Sequence, residues 1–271
     1  MAVDSIPLPW RNILSSSLGG LFTFWLLLGC HHDSLRKGNL VDMTYPFDEQ
    51  TIYWPHNKPF QWEKTNWGQA HGGYWYASGS FSASEHGGTH LDAPIHFAEN
   101  GLTVDQIPLT HLIGEAIVLD VRTQVADQPD YTLQVEDIVN WESRHGPIPS
   151  KCIVLLLTGW GQYWPTPSRY LGSATPGDPQ TLHFPGYSKT SAEFLLTNRE
   201  ILGIGIDTAS IDAGRSRDFP VHQVLGKSNR IALENVANLD QLPPRGAWIM
   251  ALPLKIRGGT GGPARIVGIL P

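Results

Sequence analysis

Apolar residues fall in short, mostly continuous runs: Ala116–Val121, Cys152–Leu157, Leu202–Ile206, Trp248–Leu252 and Ile266–Leu270. Each has strand length, and apolarity that is continuous rather than alternating predicts strands covered on both faces. Helix patterns lie between them. Thr132 stands ahead of Val135, Ile138 and Val139, which share one face, and Gly146 supplies a stop. Thr190 and Glu193 have capping-box spacing ahead of Phe194 and Leu195, with Gly203 beyond the helix end. Strands alternating with helices predict one layered α/β domain. The Pro- and Gly-rich stretch 161–188 and the polar stretch 211–227 read as long loops, which are uncommon without a functional reason. Neither an internal repeat nor a linker divides the body.

The first thirty residues have a different pattern. Arg11 precedes an apolar run from Ile13 to Leu28, broken by three serines and closed by Gly29-Cys30. That is short of the roughly 20 residues a membrane-spanning helix needs, and it reads as an export signal. Leu26-Leu-Leu-Gly-Cys30 resembles the cleavage box of bacterial lipoproteins, which would make Cys30 a lipidated first residue and the only point of membrane anchoring. We therefore divide the chain into a signal segment, 1–30, and one domain, 31–271. This predicts an exported, periplasmic or membrane-anchored protein, with a cytoplasmic one as the alternative. The other cysteine, Cys152, lies in an apolar run and reads as a buried thiol on a strand rather than a disulfide partner or nucleophile.

Composition sharpens the picture only a little. The 271 residues carry a net charge of −6, and charged residues make up 16% of them, against about 25% in a typical globular protein. Gly, Pro and Trp fill the deficit, at 28, 21 and 10 residues. Such aromatic and apolar content argues against extended disorder. The lack of a basic block argues against nucleic acid as a partner.

The candidate chemistry is concentrated in His86-Gly-Gly-Thr-His90-Leu-Asp92-Ala-Pro94-Ile-His96. Two glycines and a proline oppose a helix. In extended backbone the even positions share a face, so His86, His90 and Asp92 converge, with Gly88 between the histidines offering no side chain to block an ion. Imidazole and carboxylate together are a ligand set for Zn2+ or Mn2+, and two His with one carboxylate leave coordination positions open, as in catalytic sites. Downstream, His222 and Glu234 are unremarkable alone and matter only if the fold brings them to this run. Upstream, Trp54, Trp62, Trp67, Trp75 and Tyr76 are either pocket walls for a flat aromatic substrate or core aromatics.

The His86–His96 run resembles the His-x-Gly-Thr-His-x-Asp-x-Pro-x-His motif of the cyclase family of metal-dependent hydrolases, which includes bacterial kynurenine formamidases and isatin hydrolases. Trp54-Pro55, Thr158-Gly159-Trp160, Phe184-Pro-Gly186, Gly205-Ile-Asp207-Thr-Ala-Ser210-Ile-Asp212 and the glycine-rich Gly258–Gly262 extend the likeness over about residues 40–271. The resemblance implies a compact α/β domain with a central barrel-like β-sheet and surrounding helices, usually a homodimer. It implies that His86, His90 and Asp92 hold one metal, and that Asp92 bridges to a second held by His222 and Glu234. His96 would be the catalytic histidine; Trp54 and Phe97 are the candidate substrate-binding residues. One or two divalent ions per chain are implied, and the presence of Glu234 favours two.

These readings predict hydrolysis of a C–N amide bond in a small aromatic substrate, an aryl-formamide such as N-formylkynurenine or a cyclic amide such as isatin. Export counts against the cytosolic kynurenine route. The alternatives are lactone hydrolysis or dehydration on the same scaffold, and a metal-dependent binding lipoprotein without turnover.

Overall fold

The computed structural model describes residues 39–271, so the candidate signal segment and Cys30 lie outside the described residues. Among those residues no helix is long and apolar enough to cross a membrane. The strands are β1 (Leu40–Asp42), β2 (Gln61–Gln69), β3 (Trp75–Ser82), β4 (His90–Asp92), β5 (Ile113–Asp120), β6 (Thr132–Leu133), β7 (Ile153–Leu157), β8 (Gly186–Tyr187), β9 (Gly203–Ile206), β10 (Ile231–Glu234), β11 (Ala247–Pro253) and β12 (Gly261–Ile269). The principal helices are α1 (Val135–His145), α2 (Lys189–Arg199) and α3 (Pro220–Lys227).

Seven strands close into a barrel in the order β12-β11-β5-β7-β9-β10-β4, with β4 pairing back onto β12 and β1 added outside at β12. Strands β5, β7, β9 and β10 run parallel; the other pairings of the ring are antiparallel. This is the barrel-like α/β domain that the sequence predicts. The parallel strands are joined through α1, α2 and α3, as parallel pairing requires a crossover.

Period-2 alternation explains the apolar runs. On β7, Val154 and Leu156 meet the helix layer, together with Ile138, Trp141 and Leu195, while Ile153, Leu155 and Leu157 fill the barrel with Leu91, Leu233, Ile249 and Ile266. Strand β11 departs from the prediction: Trp248 and Leu252 are exposed while Ala247, Ile249 and Ala251 are buried, so its outer face is open to solvent. Cys152 is buried in the helix-side core and its thiol is pushed up to about 12 by burial.

Three local expectations need correction. Helix α1 starts after Gln134, not Thr132, and the Asp137 carboxylate accepts the Gln134 N–H at 2.8 Å. Its buried face is Ile138 and Trp141, while Val139 is exposed; Gly146, at φ 83, does end it. Helix α2 is capped by Ser188, whose hydroxyl accepts the Ser191 N–H at 3.1 Å, because β8 delivers the chain to that point before Thr190. The stretch 211–227 is not all loop, since its second half is α3.

Candidate metal and catalytic site

Register builds the site. Strand β4 lies between β10 and β12, with Glu234 opposite His90 and Ala232 opposite Asp92. Leu91 and Leu233 point into the barrel, so His90, Asp92 and Glu234 share the outer face, toward α3. Helix α3 brings His222 in its first turn. The Asp212 carboxylate accepts the backbone N–H groups of Val221 and His222 at 3.0 and 3.1 Å, and so secures the start of the helix. Gly226 lets α3 approach closely, since a Cβ there would lie 2.8 Å from the Pro94 carbonyl.

The extended backbone predicted for the whole 86–96 run is interrupted on both sides of β4. Gly88 turns through φ 57, and Pro94–His96 forms a single 3-10 turn. The expected reason for Gly88 is also corrected. A Cβ there would meet the Phe47 ring at 2.7 Å and Thr51 at 2.9 Å, so the glycine makes room for packing and for a left-handed turn, not for an ion.

His86, His90, Asp92, His96, His222 and Glu234 nonetheless converge. His86 Nδ1 lies 2.6 Å from Asp92 Oδ1, and His90 Nε2 lies 3.2 Å from the same oxygen and 3.4 Å from Glu234 Oε2. His222 Nε2 is 3.2 Å from Asp92 Oδ2 and 3.1 Å from Glu234 Oε1. Donor atoms close enough to share an ion form two groups, His86–Asp92–His96 and His90–Asp92–Glu234. Asp92 is common to both. The histidines divide differently from the grouping implied by resemblance, with His90 beside Glu234 and His96 beside His86.

The outer nitrogens decide what faces inward. His90 Nδ1 donates to the Gly88 carbonyl at 2.9 Å, and His222 Nδ1 donates to Asp212 Oδ2 at 2.7 Å. In a neutral ring each inner nitrogen would be a lone pair facing carboxylates, a place for a cation or for an added proton, and in the metal-free protein His222 Nε2 bonds to Asp92 Oδ2 at 3.2 Å. His90 Nε2 is fully buried with no hydrogen-bond partner. An unpartnered buried acceptor beside two carboxylates is costly unless a cation or an added proton joins them. The donor set therefore fits a divalent metal ion.

The electrostatics agree. Burial alone would raise Asp92, but the His86 and His90 rings and the His222 hydrogen bond outweigh it and hold the carboxyl well below its usual range. For His90 burial lowers the pKa, but Asp92, Glu234 and the Gly88 carbonyl prevail and raise it to about 9. His96 is the exception. Burial drops it to about 4, with Asp92 opposing and His86 and His222 adding to the fall, so it is neutral at pH 7. Its ring stacks on His86 at 3.8 Å and meets His222 edge-on at 5.9 Å.

A cavity of about 280 Å³ opens over this cluster. Trp54 and Phe97, the two residues expected to bind substrate, both line it. Phe219, which sequence reading passed over, completes the wall, 5.7 Å from the Trp54 ring and 5.5 Å from Phe97. It is held at φ 49, ψ 53, a strained conformation for an aromatic residue and one found preferentially at functional sites. The other four upstream aromatics are neither walls nor core. Trp62, Trp67, Trp75 and Tyr76 stand on the two-stranded ribbon β2–β3 and are 49–58% exposed.

The family model described as putative cyclase matches residues 41–213. The chain belongs to the cyclase family. This cyclase is 35% identical to an isatin hydrolase of Roseibium aggregatum over 69% of its own length and 72% of the relative's. It is 28% identical to a kynurenine formamidase of Salinibacter ruber, over 84% and 96% of the two chains. Among solved structures, an isatin hydrolase bound to the product analogue thioisatinate superposes with a TM-score of 0.82 at 30% identity, covering 93% of this chain and all of the other. Isatin hydrolase A from Ralstonia solanacearum gives 0.80 at 32% identity, over 95% and 100%. With relatives of this kind, this cyclase is a hydrolase.

Proposed function

We propose that this cyclase hydrolyses the C–N amide bond of a small aromatic substrate, at a site where His86, His90, Asp92, His222 and Glu234 hold divalent metal. The observation that carries the reading is the buried, unpartnered His90 Nε2 between Asp92 and Glu234, beneath a cavity walled by Trp54, Phe97 and Phe219. Zn2+ and Mn2+ both accept this donor set, and Asp92, whose Oδ1 faces His86 and His90 while its Oδ2 faces His222, favours two ions over one. A divalent cation there supplies a Lewis acid at neutral pH. Neutral His96 can accept a proton from the attacking water and return it to the leaving nitrogen, as amide cleavage demands. The three aromatic rings suit a flat aryl amide or a bicyclic ring amide.

The test is elemental analysis of the purified chain together with hydrolysis assays on isatin and N-formylkynurenine. Two ions per chain with cleavage of either compound supports the proposal. A protein that folds without metal and cleaves neither compound sinks it. Opening of a lactone in preference to both amides moves the function to the alternative reaction. Retention of a neutral His96, which holding metal alone does not need, argues against a binding lipoprotein without turnover.

We further propose that the enzyme works outside the cytoplasm, anchored through Cys30, on the strength of the pattern in residues 13–30. Radiolabelled palmitate incorporation that is lost in Cys30→Ala checks this.

A second copy of the chain is the proposed partner. Ribbon β2–β3 is exposed along both strands, and two strands alone are marginal in water. The body also leaves apolar side chains uncovered on the outer faces of β1, β5 and β11, at Leu40, Ile113, Trp248 and Leu252. An isologous pair can bury both surfaces. Light scattering should give about twice the 29.9 kDa chain mass, falling to one chain in Trp62→Ser/Trp67→Ser.

A further inference from the structure

The glycine-rich Gly258–Gly262 segment has no role in the mechanism above, yet its one side chain reaches the metal cluster. We propose that Thr260, oriented by Glu85, is a positioning residue that fixes the proton of the neutral His86 ring on Nε2 and so leaves Nδ1 as the ligand atom for a cation shared with Asp92. The inference rests on the reading that the cluster holds divalent metal.

The argument is one of proton counting. Thr260 Oγ1 lies 2.5 Å from Glu85 Oε2, an oxygen that also accepts the Thr260 backbone N–H at 3.1 Å. A carboxylate only accepts, so the single hydroxyl proton of Thr260 goes to Glu85. The same Oγ1 lies 2.8 Å from His86 Nε2 and can then only accept. Nε2 must carry hydrogen. Nδ1, 2.6 Å from Asp92 Oδ1, then holds either a second proton or, once the ring is neutral, a lone pair for a cation shared with Asp92.

The flanking glycines leave the space this requires. A Cβ on Gly259 would stand 2.7 Å from Glu85 Oε1, and one on Gly261 would stand 2.5 Å from the Leu91 carbonyl and 2.7 Å from His86 Cε1. Neither has a positive φ, so close approach rather than backbone conformation is the reason for glycine. The segment is also pinned, since Ala93 and Val104 N–H groups donate to the Thr260 and Gly259 carbonyls at 2.9 Å. Because His86 stacks on His96 at 3.8 Å, the plane set by Thr260 supports the proposed catalytic ring as well.

The test compares wild type, Thr260→Val, Thr260→Ser and Glu85→Ala. Zn2+ affinity is measured by chelator competition on metal-stripped protein, with thermal melts to confirm folding. Thr260→Val, which keeps shape but loses the acceptor, should weaken Zn2+ about 10–100-fold, and Thr260→Ser should restore it to within about threefold of wild type. Glu85→Ala frees the hydroxyl proton to point at His86 Nε2 and should weaken binding about tenfold without touching a ligand. It keeps the proposal testable if the valine variant does not fold. Wild-type affinity in folded Thr260→Val or Glu85→Ala overturns this inference alone. A wild type that holds no metal overturns it together with the proposed function.

Discussion

Glu234 is the cross-strand partner of His90, and its Oε2 stands 3.4 Å from His90 Nε2 while its Oε1 accepts the Ile211 N–H at 2.9 Å. One carboxylate thus ties strand β10 to the loop that carries Asp212 and aims its second oxygen into the cluster. Glu234→Gln keeps the bond to Ile211 and removes the charge. Metal content should fall from two ions to one per chain, measured by elemental analysis, with the melt unchanged to within a few degrees.

The pH dependence of stability has a definite sign. His90 is raised to about 9 in the metal-free site, from an ordinary value of 6.5. A group raised on folding contributes stability that is fully present below its unfolded value and lost as pH rises through the folded one. Metal-free protein should therefore lose Tm between about pH 6.5 and 9, while loaded protein, in which the cation replaces the proton, should not. Parallel calorimetric scans of the two forms at several pH values check this. A metal-free Tm that climbs across that window contradicts the assigned charge state.

His96 and Asp92 should separate cleanly by mutation. His96→Ala is expected to retain metal and lose about 10²–10⁴-fold in kcat, the range for removal of a general acid–base group. Asp92→Ala should lose metal and activity together, because Asp92 belongs to both donor groups. Metal content measured beside kcat distinguishes the two outcomes, and normal turnover in His96→Ala removes His96 from the mechanism.

Phe219 should act on substrate fit and not on chemistry. Its ring stands between Trp54 and Phe97 while its backbone is held left-handed ahead of Pro220. Phe219→Ala is expected to raise KM for a bicyclic aromatic amide about tenfold, by losing an aromatic contact worth roughly 1–1.5 kcal/mol, and to leave kcat within about threefold. Steady-state kinetics on isatin read the split directly.

Read as a string, this chain discloses what depends on near neighbours. The barrel strands β5, β7 and β9 are legible as apolar runs because each is covered on both faces, and β11 is legible as a run although one of its faces is bare. The donors from His86 to Asp92 are legible because strand period alone brings His90 and Asp92 to one face. Helix α3 was hidden. It has eight residues, a glycine and one short apolar row of Val221 and Leu225, too little to stand out from the polar stretch before it. Ribbon β2–β3 misleads for the opposite reason, since aromatic residues look the same in a string whether they line a cavity or face outward.

Residue types and short spacings by themselves determined an α/β body, a candidate metal-ligating run and a candidate acid–base histidine. Only the tertiary structure decided that Glu234 faces His90, that Asp212 aims His222 and that Thr260 meets His86. Those pairings depend on barrel register and on where a helix and a glycine-rich loop come to rest. Register is set by packing summed over many strands, which no local stretch of sequence contains.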